Sequence, residues 1–393
     1  MEEKNIRSNI IKLYYIKALR WFLLVMPIIV LFFQENGLSM TEILILQSAF
    51  SLSIILFEIP SGYFSDVVGR KITIIIACVL GFAGYLAYSL AYNFGQFLIA
   101  EIILGFSSSF LSGTDSAMIY DTLAQLKEEK KYQKVEGRLM SIGNFSEGIA
   151  SLIAGFVATI SLRVPFYIET VFILFAIPIA LSLKEPIRRR YQSPEGNIKG
   201  IMKIVTHSLH HHSQIKWLII YAGFVSSSTL TMVFFIQPYF QLVNLPLQFF
   251  GIVWAIFNLS VGIFSLLAYK LEIKLGRKTS LISLIFFPFA GYLLLSLTQS
   301  LWSLIFMIPF YFTRAISYPI LKDYVNRLVS SDMRATVLSI KNLVGRFIFA
   351  VMGPIVGYAA DVYTLRAALA ASGIIFFVLS ASSLLFLKKY KAL

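Results

Sequence analysis

The thickness of a lipid bilayer constrains this chain before anything else does. A helix needs roughly 20 consecutive apolar residues to cross the hydrocarbon core. The sequence contains twelve such runs: 9–33, 42–63, 72–93, 97–123, 139–160, 164–183, 216–240, 248–270, 279–298, 301–321, 336–359 and 366–387. Composition agrees, with 58% hydrophobic and only 14% charged residues, where a soluble domain carries about 25% charged. A chain with mean hydropathy +0.77 would precipitate unless lipid covered it. The expected fold class is an all-α membrane protein with twelve transmembrane helices.

The formal net charge of +14 does not point to nucleic acid, because the basic residues fall in short loops between apolar runs. Their partner is the bilayer surface. The sole cysteine, Cys78, lies inside a run, so no intrachain disulfide can form. The first apolar stretch extends to Phe33 with no small-residue cleavage site after it, unlike a cleaved signal peptide.

One connection is long, and it splits the runs six and six. The expected organisation is an N-terminal six-helix bundle over 1–183, a cytoplasmic central loop over 184–215 and a C-terminal six-helix bundle over 216–393. Cytoplasmic loops carry an excess of Lys and Arg. With both termini inside, that side collects Lys4, Arg7 and Lys12, Arg70 and Lys71, Lys127 to Arg138, Lys184 to Arg190, Lys270 to Lys278 and Lys388 to Lys391. The outer loops keep only Arg163 and Arg366. This orientation in a cytoplasmic (inner) membrane is the expectation.

The most specific motif is Gly62-Tyr63-Phe64-Ser65-Asp66-Val67-Val68-Gly69-Arg70-Lys71, between the second and third runs. Leu275-Gly276-Arg277-Lys278 echoes it 207 residues later. Met140-Ser141-Ile142 and Leu338-Ser339-Ile340 open the fifth and eleventh runs at an offset of 198, and Asp121 and Asp323 close the fourth and tenth at 202. Three matches in one order at similar offsets indicate an internal repeat. Gly-x-x-x-Asp-x-x-Gly-Arg-Lys between two membrane helices resembles the loop 2–3 signature of the major facilitator superfamily of secondary transporters. That resemblance implies two pseudo-symmetric six-helix halves rocking around a central cavity. It also implies that Asp66 and Arg70 take part in charge contacts that hold the outward-open state. From the residues themselves, Gly62 and Gly69 should free the hairpin backbone. Asp66 should cap the following helix, and Arg70 and Lys71 should anchor it at the anionic leaflet. The second copy has Tyr269 and Ile273 at the Gly and Asp positions, so a charge latch is not expected there.

Ionisable residues inside membrane helices are costly and default to a functional reading. The first half carries Lys17, Arg20, Glu58, Glu101, Asp115, Asp121, Glu147 and Glu169, and the second half Arg314, Lys341 and Arg346. At about 1.5 Å per residue, Lys17, Arg20, Asp115, Glu147, Arg314, Lys341 and Arg346 share a layer roughly 8–16 Å from the cytoplasmic edge. Asn144 shares a face with Glu147, and Asn342 with Arg346. Lys341 and Arg346 cannot both face one axis, and Asn342 favours Arg346. The plain alternative is that Asp115 and Glu147 pair with Lys17 and Arg20 and staple the helices. Arg314 and Arg346 have no acid at their depth in their own half and require another partner. Glu169 and Asp121 lie nearer run ends, where side chains snorkel to water. Glu58 runs directly into the signature loop.

The candidate proton or substrate site is therefore Lys17, Arg20, Glu58, Asp115, Asn144, Glu147, Arg314, Asn342 and Arg346. Asp115 and Glu147 are the expected proton carriers, since a low dielectric favours the neutral carboxyl. No nucleotide-binding loop or nucleophile motif points to an enzyme, and no cofactor motif is present. The four histidines, His207 and His210 to His212, sit in the central loop, where a metal site lacks carboxylate or cysteine neighbours. Three functions remain open: proton-coupled efflux of amphipathic compounds, transport of an anionic or zwitterionic metabolite on Arg314 and Arg346, and a non-transporting receptor or scaffold. The first draws on an aromatic-rich chain with 35 Phe and 20 Tyr. The helix 4 arginine and helix 5 glycine–proline motif of many drug exporters are absent. Glu101 stands before Gly105, and the fifth run keeps Gly148 and Gly155. Gly353-Pro354-Ile355-Val356-Gly357 occurs in the eleventh run instead. A monomer is the expected state.

Overall fold

A computed structural model describes residues 2–187, 212–329 and 333–390. These residues form helices α1 (Glu2–Arg20), α2 (Ile29–Glu35), α3 (Met40–Val67), α4 (Arg70–Leu90), α5 (Phe94–Leu111), α6 (Thr114–Gln125), α7 (Tyr132–Ala158) and α8 (Val164–Leu181). After the central loop come α9 (Ser213–Leu242), α10 (Phe250–Leu297), α11 (Ile308–Leu328), α12 (Arg334–Val362) and α13 (Leu365–Lys389). Among the described residues, 11 helical spans are long and apolar enough to cross a membrane.

Three runs depart from simple rods, each for a local reason. The first does not form one helix over 9–33, because the chain leaves helical geometry between α1 and α2. Pro27 cannot donate a backbone bond, and it pushes the residue before it out of the helical region. The fourth run breaks at Gly113, whose φ of +73° starts α6 afresh. In α10, two rods meet at Gly276, with φ +74°. Gly69, with φ +132°, holds the corresponding place in the first copy of Gly-Arg-Lys. Positive φ is the reason these positions are glycine. Gly62, by contrast, sits inside α3, and a Cβ added there would meet nothing within 4 Å, so it does not free the hairpin.

The chain forms two compact units. The first comprises Met1–Gly37, Ala49–Ser193 and Leu247–Ala255; the second comprises Leu38–Ser48, Pro194–Pro246 and Ile256–Leu393. In the first, α4 packs on α5 and α8, and α1 on α8, α7 and α6. Its core includes Ile16, Ile74, Met118, Leu139 and the fully buried Cys78. Phe32, Phe33, Tyr88, Phe97 and Phe166 form a second, aromatic cluster. In the second unit, α9 is the most buried of the spans and packs on α12, α13 and α11.

Small residues let these helices approach closely. A Cβ on Gly155 would come within 2.5 Å of the Gln248 carbonyl in the first unit. In the second, a Cβ on Gly357 would sit 2.7 Å from the Met40 carbonyl. Beside it the Asp361 carboxylate accepts the Met40 and Thr41 N–H groups at 2.9 and 2.7 Å, capping the start of α3. Large apolar side chains such as Leu56, Phe145, Leu266 and Trp302 remain exposed.

Candidate functional site

The signature loop is a charge knot built on Arg70. Its guanidinium pairs with Asp66 at 2.6 Å and Asp121 at 3.4 Å, and donates to the Ser65 hydroxyl at 2.9 Å. Asp66 closes α3 rather than opening α4, and its side chain is 65% exposed. The cap of α4 comes from Glu185, whose carboxylate accepts the Arg70 and Lys71 N–H groups at 2.9 and 2.8 Å. The expectation that Asp66 caps α4 is therefore corrected. A carboxylate there belongs to the segment leaving α8, which can approach because Gly69 has no side chain: a Cβ would meet Glu185 at 3.1 Å.

That segment is strapped down along its length. Asn9 receives the Lys184 N–H at 2.9 Å and donates to its carbonyl at 2.8 Å. Lys12 donates to the Ser182 carbonyl, and Gln125 accepts the Ile187 N–H. Nearby, Glu128 is held by Lys131 at 2.8 Å and Arg7 at 3.0 Å. The hydrogen bonds from Lys131 and then Arg7 hold its carboxyl below the usual range. In the second unit, Arg277 stacks over the Tyr324 ring at 4.3 Å, and Arg327 pairs with Asp323 at 2.7 Å. Where the first copy uses a carboxylate, the second uses a ring.

The intramembrane charges separate by partner. Lys17 pairs with Asp115 at 3.8 Å and lies over the Trp21 ring at 4.3 Å. Asp115 stands in the first turn of α6, created by the Gly113 break, and accepts the Ser116 N–H. Arg20 does not pair with an acid in α7. Its guanidinium donates to the Ala77 carbonyl and the Ser107 hydroxyl, both at 2.7 Å. Glu58 accepts the Ser112 hydroxyl at 2.8 Å. Glu147 is half-buried on α7, and Asn144 is exposed.

In the second unit, Arg314 is exposed at the edge of a recess lined by Thr229, Met232, Val233, Ile236, Phe310 and Tyr311. Phe257 stacks on Tyr311 at 4.9 Å. Lys341 is the buried member of its helix, with Nζ 5.1 Å from the Tyr318 ring centroid. Asn342 is exposed and Arg346 half-buried. His207, His210 and His211 lie outside the described residues. Among the described residues, no cluster of three His, Cys, Asp or Glu could hold a metal.

Glu169 overturns the expectation that it snorkels. It is completely buried, and it receives the Val25 N–H at 3.2 Å from the non-helical stretch between α1 and α2. Glu185, Asp361 and Glu169 all receive backbone N–H groups distant in sequence. For Glu185 and Asp361 the sequence offers only a carboxylate just past an apolar run, and for Glu169 one inside it.

Residues 16–351 match the family model of the Major Facilitator Superfamily. The chain is similar to the quinolone resistance protein NorA of Staphylococcus aureus (strain MRSA252), 26% identical over 144 residues, 37% of this chain and 36% of that protein. It is also similar to multidrug resistance protein 1 of Bacillus subtilis (strain 168), 26% identical over 206 residues, 52% of each chain. The matches thus span between about a third and a half of these relatives' length. Its fold is similar to the crystal structure of the nucleoside transporter NupG, with TM-score 0.81 and 12% identity, covering 97% of this chain and 99% of that one. A bacterial homologue of the human lysosomal transporter Spinster, inward-facing and unoccupied, gives TM-score 0.76 at 16% identity, covering 99% and 97%.

Proposed function

The chain belongs to the Major Facilitator Superfamily and is an integral multi-pass membrane transporter of a small molecule; on that premise we propose that it is a proton-coupled exporter of amphipathic, drug-like compounds. Alternating access would move the substrate, with both termini in the cytoplasm and the signature loop Gly62, Asp66, Gly69, Arg70 and Lys71 as the gating element. The observation that carries the reading is the recess beside Arg314. Its wall of Met232, Val233, Ile236, Phe310 and Tyr311 is apolar and aromatic, the chemistry that receives flat apolar bodies. The space enclosed in this conformation, about 10 Å³, is water-sized, so a substrate enters only when the recess opens. Polar groups there are few, which favours shape over strict recognition. The partial similarity to two drug-resistance proteins supports the same substrate class. On this reading the candidate polar residues are Lys17, Arg20, Glu58, Asp115, Asn144 and Glu147 in the first unit and Asn342 and Arg346 in the second, with Asp115 and Glu147 as proton carriers.

The test is internal pH in liposomes carrying the purified protein, with ethidium or small aromatic carboxylates added outside. Proton movement triggered by ethidium supports drug–proton exchange, and its loss in Asp115→Asn and Glu147→Gln assigns the carriers. Movement triggered by neither class refutes the reading.

A second reading, transport of an anionic or zwitterionic metabolite, is favoured by Arg314 itself. Its guanidinium makes no ion pair among the described residues and stands at the edge of an apolar recess. On that reading Arg314→Ala and Arg346→Ala abolish carboxylate-triggered proton movement, whereas ethidium exchange survives them.

A further inference from the structure

The break in the first membrane run and the burial of Glu169 are one feature. Between α1 and α2 the backbone leaves helical geometry inside the apolar region, so its N–H groups need acceptors other than the helix ladder. Val25 N–H finds Glu169 Oε2 at 3.2 Å, while Leu24 N–H turns to the Phe22 carbonyl at 3.1 Å. The other oxygen, Oε1, is buried with no partner at good hydrogen-bond geometry; the Tyr85 hydroxyl from α4 is the carboxyl group's polar neighbour.

The surroundings supply no ion-pair partner among the described residues. From α1, Arg20 lies near Tyr85, but its guanidinium is engaged by the Ala77 carbonyl and the Ser107 hydroxyl. From α4, Tyr85 and Tyr88 are the titratable neighbours, and Tyr88 in turn faces Glu101 of α5. From α7, Ala150 and Ala154 pack here, with Leu24, Phe22 and Ile168. Among the described residues Glu169 makes no salt bridge. Asp115, by contrast, has Lys17. An ionised carboxylate in a membrane span with no cation is costly, and protonation removes the charge.

We propose that Glu169 is a proton-binding site, holding a proton on Oε1 in this conformation and releasing it to water when the broken segment between α1 and α2 rearranges. Release is the simple step Glu169–COOH to Glu169–COO⁻ plus a hydrated proton. Discontinuous membrane helices are where transporters couple ions to motion. Here the same carboxyl holds the break and carries the proton. The role in transport rests on the proton-coupled reading above; the protonation itself does not.

Two measurements on the full chain in lipid vesicles separate these claims. The first is the protonated-carboxyl C=O absorption in pH-difference infrared spectra. Glu169→Gln should remove one band, Glu169→Asp should shift that band, and Glu128→Gln, at the surface, should change nothing in it. An unaltered band in Glu169→Gln overturns the proposal. The second is ethidium transport. Glu169→Gln should lose pH-driven transport by at least tenfold while exchange down an ethidium gradient persists, because Gln still accepts the Val25 N–H. Wild-type pH-driven transport in Glu169→Gln overturns the coupling role. If the wild-type protein carries no ethidium, the drug-export reading fails, and the infrared result alone decides whether Glu169 binds a proton.

Discussion

Removing the Glu185 carboxylate should loosen the start of α4 and little else. Glu185 accepts two N–H groups, from Arg70 and Lys71, at 2.9 and 2.8 Å, at a helix end whose own ladder cannot satisfy them. Loss of a capping side chain costs about 0.5–2 kcal/mol, and ionised acceptors stand toward the upper end. An estimate of roughly 1–2 kcal/mol corresponds to a factor of about 5–30 in the local opening equilibrium. Amide hydrogen exchange by mass spectrometry on the peptide spanning residues 69–74 reads this directly. Glu185→Ala should accelerate exchange there by that factor, and Glu185→Gln by less, because its amide oxygen still accepts one N–H. Asp66→Ala is the informative comparison. Asp66 is 65% exposed, Arg70 keeps Asp121 as a second partner, and a pair with a solvated member contributes about 0–1 kcal/mol, so exchange should change no more than about fivefold. If Asp66→Ala accelerates these amides and Glu185→Ala does not, Asp66 is the cap and the strap formed by residues 184–187 is wrong.

Further outcomes test other parts of the structure. Gly62→Ala should leave thermal stability unchanged or raise it by about 0.5–1 kcal/mol, since helical Gly is less favourable than Ala. Gly69→Ala should lower it, because φ is +132° and Glu185 blocks the Cβ. Gly357→Ala forces a methyl against the Met40 carbonyl and should cost roughly 1–3 kcal/mol, seen as a lower Tm in detergent. Glu128 tests pH linkage. Its carboxyl is depressed by Lys131 and Arg7, so its contribution is fully present above the ordinary carboxylate value and disappears as pH falls through the depressed one. Glu128→Gln should therefore lower Tm at neutral pH, and the gap should close in acid; a gap that persists at low pH refutes the assignment.

The membrane helices were legible because hydrocarbon thickness imposes a length that any sequence must display. The repeat was legible at Gly69 and Gly276 because a positive φ before Arg-Lys leaves few residue choices. The Lys17–Asp115 pair was within reach as opposite charges at one depth. Arg20 was not, because its acceptors are a backbone carbonyl, which every residue has, and a serine among many. The first-run break was missed although Pro27 marks it, since apolar composition alone reads as one rod. Glu169 and Glu185 were misjudged or overlooked for one reason: both serve backbone N–H groups more than a hundred residues away. Local spacing carries no trace of such a partner.

Cys78 packs wholly inside the core of the first unit, and it is the chain's one native thiol. Aqueous maleimide or spin-label reagents would find almost nothing to modify on the folded protein. The wild-type chain is thus already a quiet background for labelling. Single or paired cysteines introduced at exposed positions, on the signature loop or along α12, would report alone. Distances between them could be followed through a transport cycle without first rebuilding the core around a cysteine-free variant.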